Sequence, residues 1–191
     1  MIHILYLAAG YSRRYGAQNK LTDLHQGQPL YTWGLHSFRQ AIATRTDCHL
    51  TVVTCWPEIE QACGREGIRV LHCADSHTGI AATIRCGIQS LSSLTQEDYL
   101  CFSVADQPNL TPQTITSLLD AAAEKPLTAC VGYGGEMGNP TLFSATLTEE
   151  LLNLSGDKGG KSILRKHPEN HIRIECDPVE LLDIDTKEEH I

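Results

Sequence analysis

The sequence predicts an α/β fold built on a parallel, doubly wound sheet. Apolar runs of strand length alternate along the chain with amphipathic helical patterns, which is typical of βαβ units. Most of these runs are unbroken, and unbroken apolar runs predict strands that helices cover on both faces. The predicted strands are Ile2–Leu7, His49–Thr54, Ile68–Leu71, Tyr99–Val104 and Thr128–Val131.

Helical patterns fill the intervals between these strands. The last of them follows Thr111-Pro112, a capping threonine and a first-turn proline. The predicted helices are Leu30–Ala41, Glu58–Arg65, Ile80–Leu94 and Gln113–Glu124.

The pattern changes after Gly134-Gly135, where we expect a loop and then edge strands with a lid-like subregion. The elements predicted there are a short extended piece at Pro140–Phe143, helices at Leu147–Leu154 and Gly160–His167, and extended segments at Ile172–Glu175 and Val179–Asp185.

Composition limits the class of protein. The 191 residues, 41% of them hydrophobic, suffice for a sizeable core, and we expect a single domain over residues 1–191. A net charge of -8 argues against a surface that binds nucleic acid or acidic lipid along its length, so anion binding must be local. The apolar N-terminal stretch is too short to span a membrane. The eight cysteines form no C-x-x-C pair, which predicts reduced thiols in a cytoplasmic protein.

The loop after the first predicted strand combines glycines with cations. In "LAAGYSRRYGAQNK", residues 7–20, Gly10 and Gly16 let the backbone turn tightly. Arg14 and Lys20 add charge-assisted donors, and the combination predicts a phosphate-binding loop. The spacing differs from the dinucleotide pattern G-x-G-x-x-G, which disfavours a nicotinamide enzyme. The alternative is that these cations are solvated surface charges.

A second glycine- and lysine-rich stretch, "SGDKGGKS", covers residues 155–162. It is not a P-loop, because Ser155 stands where that motif needs glycine and the preceding residues read as helix. We interpret the stretch as a helix N-terminus after a glycine turn. The alternative is an anion site that uses Lys158 and Lys161.

Carboxylates follow two further apolar stretches. Asp106 in "SVADQPNL" ends a predicted strand, where a carboxylate could hold Mg²⁺ over phosphates. Asp and Pro after a strand are also ordinary turn formers. Asp183 and Asp185 in "LLDIDTKEE" would share one face of an extended segment, as a metal site requires, or they would be solvated charges at a strand end.

These motifs together resemble the molybdenum cofactor cytidylyltransferases, a family of nucleotidyltransferases in the same superfamily as the molybdopterin guanylyltransferases. The family's opening pattern L-A-A-G-x-S-x-R-x-G-x-x-x-K is matched in full by Leu7, Ala8, Ala9, Gly10, Ser12, Arg14, Gly16 and Lys20. In chain order, the later motifs are matched by Gly27, Pro29 and Leu30, by Asp106 and Pro108, by "GNPTLF" (138–143), by "LSGDKGGKSIL" (154–164) and by "DIDT" (183–186).

The sequence departs from the family at three places. Thr83 stands where the segment that begins at Gly79 has serine, so the hydroxyl is kept. Asn139 replaces the usual histidine, and Lys187 replaces the final proline.

The resemblance implies a Rossmann-like three-layer fold of the nucleotide-diphospho-sugar transferase type and transfer of CMP from CTP to molybdopterin. Arg14, Lys20 and Asp106 would be catalytic, Asp106 with Asp183 or Asp185 would bind Mg²⁺, and Asn139, Lys158 and Lys161 would bind the acceptor. The residues implied to bind the nucleotide are Leu7, Ala8, Ala9, Gly10, Ser12, Arg14, Gly16, Lys20, Gly79, Thr83 and Asp106.

The expected partners are CTP or GTP, a phosphorylated pterin, and a client molybdoenzyme or its chaperone, with neither nucleic acid nor a membrane. Two alternatives stay open at this point. One is a guanylyltransferase or another transferase with a different phosphate acceptor. The other is an accessory protein that binds the cofactor without turnover.

Overall fold

The structure, a computed structural model, describes residues 1–10 and 19–185. The strands among these residues are β1 (Ile2–Leu7), β2 (Leu24–His25), β3 (Gln28–Pro29), β4 (Cys48–Thr54), β5 (Arg69–His72), β6 (Tyr99–Val104), β7 (Thr128–Tyr133), β8 (Glu136–Ser144) and β9 (His171–Glu175). The helices are α1 (Leu30–Ala41), α2 (Pro57–Arg65), α3 (Ile80–Gln89), α4 (Pro112–Asp120), α5 (Thr148–Leu152) and α6 (Lys161–Leu164).

Seven of the described strands form one sheet in the order β5-β4-β1-β6-β8-β7-β9, and β2 pairs with β3 in a separate hairpin. Within the sheet, β8 is antiparallel to both of its neighbours, and the other pairings are parallel. The mostly parallel sheet that the sequence predicts is therefore confirmed.

Helices cover the sheet on both faces, because the central strand β1 is apolar at successive positions. Ile4 and Tyr6 pack with α1, α2 and α4, whereas Leu5 and Leu7 pack with α3, α5 and α6. These four β1 side chains are at most 7% exposed. The unbroken apolar runs thus correspond to a three-layer arrangement, as expected for strands buried on two sides.

The C-terminal part differs from the prediction in two places. The short extended piece at Pro140–Phe143 is part of the nine-residue strand β8, because Gly134 and Gly135 form a tight hairpin turn at φ +57° and +97° rather than opening a loop. The extended segment predicted at Val179–Asp185 is wrong. A 3-10 turn occupies Pro178–Leu181, and it begins where the Asp177 carboxylate accepts a hydrogen bond from the Val179 N–H.

Several helices are shorter than predicted. Helix α3 ends at Gln89, and α5 and α6 have five and four residues. The predicted start of α4 is confirmed, because the Thr111 hydroxyl accepts the Thr114 N–H at 3.3 Å. The predicted edge strand at Ile172–Glu175 is confirmed as β9.

No helix in the described ranges is both long and apolar enough to cross a membrane. All eight cysteines lie within these ranges, and each carries a free thiol. The expectation that the whole chain forms one domain stays a prediction.

Candidate active site

The carboxyl end of β1 is held in place by its neighbour β4. The Ala8 N–H donates to the Val53 carbonyl at 2.8 Å, and the Thr54 hydroxyl donates to the Ala8 carbonyl at 2.7 Å. The Cys55 thiol contacts the Ala9 carbonyl at 3.9 Å. Ala8 and Ala9 are consequently buried, and their backbone is fixed at the edge where parallel sheets bind ligands.

Gly10 follows at the surface, and a side chain placed there would meet no atom of the described residues within 4 Å. The predicted residues Ser12, Arg14 and Gly16 lie outside the described residues. Their assignment to the nucleotide therefore stays a prediction.

Lys20 lies at the centre of the site, with a side chain that is only 9% exposed. Its ammonium group donates to Asp106 Oδ2 at 2.8 Å, to the Ile184 carbonyl at 2.9 Å and to Asp185 Oδ1 at 3.0 Å. Burial lowers the pKa of Lys20, but the charge and hydrogen bonds of Asp106 and Asp185 outweigh burial and raise the pKa above 10.5. Lys20 is therefore a cation at neutral pH, and all three of its N–H donors are used.

Asp106 follows β6 and brings its carboxylate to the same point. Its backbone carbonyl accepts the Ile184 N–H at 2.9 Å, which fixes the C-terminal segment against the end of β6. Its second carboxylate oxygen, Oδ1, is buried and accepts no hydrogen bond from the described residues. A buried, unused carboxylate oxygen is unfavourable unless a donor or a cation approaches it.

The C-terminal segment, defined as residues 181–185, contributes two more carboxylates. Asp185 shares the Lys20 ammonium with Asp106, and its side chain is 51% exposed. Asp183 Oδ1 accepts a 2.8 Å hydrogen bond from the Gln107 amide. Partial burial of its carboxyl group raises the pKa of Asp183, and the charges of Asp106 and Asp185 raise it further.

The charge balance at this site suits a divalent cation. Among the described residues, one lysine faces three carboxylates, so the charge that these four groups carry around Asp106 is negative. No three His, Cys, Asp or Glu side chains within residues 1–10 and 19–185 are grouped so that they alone could hold a metal ion. Mg²⁺ sites commonly use one or two carboxylates together with substrate oxygens. Asp106 and Asp185 fit such a site.

A cavity of about 320 Å³ lies at the same edge of the sheet, where Leu7 ends β1 and Val104 ends β6. Its lining includes all three predicted acceptor residues, Asn139, Lys158 and Lys161, and one predicted nucleotide residue, Leu7. The three predicted acceptor residues and Leu7 therefore surround one space, and their roles stay predictions. The other lining residues are Ile80, Ile84, Phe102, Ser103, Val104, Thr141, Asp157, Gly159, Gly160, Ser162 and Arg165.

Gly79 and Thr83, the other predicted nucleotide residues, lie at the start of α3. Gly79 has φ +121°, and a Cβ there would stand 2.4 Å from the Gly156 carbonyl oxygen, so only glycine fits. The Gly156 carbonyl accepts the Ala81 N–H at 3.1 Å. The glycine-rich stretch at residues 155–162 thus packs directly on the first turn of α3. The same stretch leads into α6, which confirms the interpretation that it precedes a helix.

Two polar residues of the site, Gln107 and Arg165, are not among the site residues that the sequence predicts. Gln107 lies between Asp106 and Pro108, and a polar residue at the end of a buried strand was the available signal. Arg165 lines the cavity four residues after Lys161, and this helical spacing was the signal for a shared face.

The fold, with a site at the carboxyl ends of β1 and β6, is that of the nucleotide-diphospho-sugar transferases. The chain belongs to the family of MobA-like NTP transferase domains, whose sequence profile matches residues 4–171. The predicted relationship to the molybdopterin nucleotidyltransferases is thereby confirmed. No curated protein matches the sequence.

Solved structures share this fold. Rv0371c from Mycobacterium tuberculosis is 25% identical, with a TM-score of 0.78 over 99% of this chain and 94% of that chain. Its manganese complex gives a TM-score of 0.77 at 23% identity, over 99% of this chain and 95% of that one. The Archaeoglobus fulgidus molybdopterin-guanine dinucleotide biosynthesis protein A shares the fold, with a TM-score of 0.71 at 13% identity over 98% and 94%.

Proposed function

We propose that this protein is a metal-dependent cytidylyltransferase that transfers CMP from CTP to the terminal phosphate of molybdopterin and releases pyrophosphate. The observation that carries the proposal is the convergence of Asp106, at the end of β6, and Asp185 on one group, because each lies within hydrogen-bond distance of the Lys20 ammonium. A cation and two carboxylates at this edge are the groups that phosphoryl transfer needs, because its catalysis consists of positioning and charge stabilisation.

The nucleotide would lie along the carboxyl end of β1. In this proposal the backbone of Leu7, Ala8, Ala9 and Gly10 borders the base, and the loop with Ser12, Arg14 and Gly16 surrounds the triphosphate. Gly79 and Thr83 border the nucleotide from the start of α3.

In the reaction, an oxygen of the acceptor phosphate attacks the α-phosphorus of CTP in line. The bond from the α-phosphorus to the bridging oxygen breaks, and pyrophosphate leaves with that oxygen. Arg14 and Lys20 would stabilise the negative charge that collects on the leaving group. A Mg²⁺ ion bound to Asp106 and Asp185 would neutralise charge on the triphosphate.

We assign the second metal ligand to Asp185 rather than Asp183 because Asp185 shares the Lys20 ammonium with Asp106.

Similar proteins support nucleotidyl transfer and the use of a divalent metal. The family consists of NTP transferase domains, and one similar structure is a manganese complex. Another is named for molybdopterin-guanine dinucleotide biosynthesis, which supports a pterin acceptor and keeps a guanylyltransferase as the second candidate. Eight free thiols favour the reducing cytoplasm as the location. A client molybdoenzyme or its chaperone would receive the product.

The deciding experiment is pyrophosphate release with purified molybdopterin and each of the four NTPs, with and without Mg²⁺. Turnover with CTP that requires both molybdopterin and the metal supports the proposal. Turnover only with another acceptor would identify a different transferase. Binding of the pterin without pyrophosphate release under any condition would identify the accessory protein.

CTP is expected to be preferred over GTP because Ala9 narrows the space beside the base. The methyl group of Ala9 is part of a strand end that is only 3% exposed, where the guanylyltransferase branch has glycine. The expected gap in kcat/KM is roughly 1–3 kcal/mol, the size of a one-methyl steric difference. Ala9→Gly should narrow this gap in side-by-side kinetics. A wild-type preference for GTP would replace the cytidylyl assignment with the guanylyl one.

Lys158→Ala, Lys161→Ala and Arg165→Ala are expected to raise the KM for the acceptor more than the KM for CTP. These exposed cations border the cavity, and each lost charge-assisted contact should cost about 1.5–3 kcal/mol, or roughly 10- to 100-fold. Steady-state kinetics with each substrate varied in turn would measure this. Lys166→Ala is the matched control, because Lys166 pairs with Glu150 on the surface. A larger effect on the KM for CTP would show that the cavity holds the nucleotide instead.

A further inference from the structure

Gln107 is buried at the end of β6 and is absent from the proposed chemistry. Its side chain is only 3% exposed, and its amide nitrogen donates to Asp183 Oδ1 at 2.8 Å and to the Leu181 carbonyl at 3.3 Å. Its oxygen, Oε1, is buried and accepts no hydrogen bond from the described residues. The amide orientation follows from these partners, because both are acceptors and a flipped amide would place oxygen against oxygen.

The C-terminal segment is held at three successive places, two of them at the end of β6 and the third at Lys20. Gln107 holds Leu181 and Asp183 on one side, and Lys20 holds Asp185 on the other. Between them, the Ile184 N–H donates to the Asp106 carbonyl, and the Ile184 side chain is 7% exposed. The backbone that leads to Asp185 is therefore held by contacts made two and four residues earlier in the segment, in addition to those of Ile184 and Lys20.

From these contacts we infer that Gln107 is a positioning residue, which holds Asp183 and thereby keeps Asp185 beside Asp106. An amide suits this role because it donates to a carboxylate without adding a charge. A second cation beside Lys20 would offset the negative charge that a divalent cation requires. This inference rests on the proposed function for its consequence, namely metal binding and turnover, but its contacts belong to the described structure.

The test compares Gln107→Glu and Gln107→Leu with wild-type protein. Glutamate keeps the shape of the side chain but puts an acceptor against Asp183, whereas leucine only removes the donor. Three measurements apply: Mn²⁺ binding by electron paramagnetic resonance without nucleotide, amide hydrogen exchange of residues 181–185, and the kcat and KM for CTP. Gln113→Glu adds the same charge at an exposed position of α4 and is the matched control.

We expect both variants to bind Mn²⁺ about 10- to 100-fold more weakly, the usual effect of removing a residue that orients a metal ligand. Hydrogen exchange at Ile184 should accelerate, and kcat should fall while the KM for CTP changes little. Gln107→Glu combined with Asp183→Asn reverses the direction of the hydrogen bond, and it should recover at least threefold of the lost Mn²⁺ affinity. The Leu181 contact stays broken in this pair, so recovery is partial.

Wild-type Mn²⁺ affinity in both single variants would overturn the inference. So would a double variant, Gln107→Glu with Asp183→Asn, that binds Mn²⁺ no more tightly than Gln107→Glu alone. A wild-type protein that binds Mn²⁺ but releases no pyrophosphate from any NTP would overturn the proposed function only, because the comparison of Mn²⁺ affinities still decides the role of Gln107. If wild-type protein binds no Mn²⁺ without nucleotide, the binding is measured with CTP present, because the site is expected to use substrate oxygens. No Mn²⁺ binding with CTP would overturn the proposed function, and hydrogen exchange of residues 181–185 would still decide the role of Gln107.

Discussion

Asp106→Asn is expected to lower kcat by a factor on the order of 10²–10³, the usual cost of removing one group that stabilises charge in the transition state. Asparagine keeps an oxygen that can accept from Lys20, so the contact between β6 and the rest of the site persists. The variant loses the negative charge of the buried oxygen Oδ1, which has no hydrogen-bond partner among the described residues. Pyrophosphate release under saturating CTP and acceptor would measure the loss.

Asp120→Asn is the control for this variant. Asp120 is exposed and pairs with Arg45 at the surface, so the same chemical change there should leave kcat unaltered. Circular dichroism and thermal unfolding should show that both variants are folded. Equal turnover by Asp106→Asn and wild-type protein would reject the assignment of Asp106 to the metal.

Lys20→Met is expected to change catalysis and metal binding in opposite directions. Loss of the cation should lower kcat/KM for CTP by a factor on the order of 10², because each charge-assisted hydrogen bond contributes about 1.5–3 kcal/mol. In the absence of nucleotide, however, Mn²⁺ should bind more tightly than to wild-type protein. Without the lysine, the carboxylate of Asp106 loses the ammonium group that lies 2.8 Å from its Oδ2 atom.

The variant should also unfold more easily, by on the order of 3 kcal/mol, since it leaves Asp106 without its buried partner. Urea unfolding measures this cost, and added Mn²⁺ should recover part of it. Lys166→Met, at a position 64% exposed, is the matched control and should change neither quantity. Weaker Mn²⁺ binding by Lys20→Met would contradict the arrangement described for this site.

The contrast between the two roles of Lys20 shows what a local sequence pattern can predict. Its place at the end of a glycine- and cation-rich loop predicts a phosphate contact, and that contact stays a prediction. The structure adds contacts with Asp106, Ile184 and Asp185, which lie 86, 164 and 165 residues away. No local pattern contains pairings at that separation. Because all three donors are used, a phosphate contact would require Lys20 to release at least one of them.

The order of strands and helices could be predicted because an apolar run buried on two faces is visible in the sequence itself. The full length of strand β8 was harder to predict from the sequence. Its first residues, Glu136 to Asn139, have low strand propensity, and they are extended because β7 pairs with them across the hairpin. Strand alternation predicted that Asp183 and Asp185 share one face, and the family resemblance implied that one of them joins Asp106. They lie near it for a different reason, since hydrogen bonds from Gln107 and Lys20 hold an irregular segment in place.

The place of β8 between β6 and β7 sets the order in which a growing chain can complete its sheet. When residues 1–105 have left the ribosome, β5, β4, β1 and β6 can pair, but β6 is then an open edge with unpaired backbone groups. Such an edge is prone to association with other chains, and it stays open until residues 136–144 are synthesised. The ion pair between Lys20 and Asp185 can form only later, because Asp185 is synthesised 165 residues after Lys20. Nascent chains therefore contain Lys20 well before they contain the complete set of carboxylates.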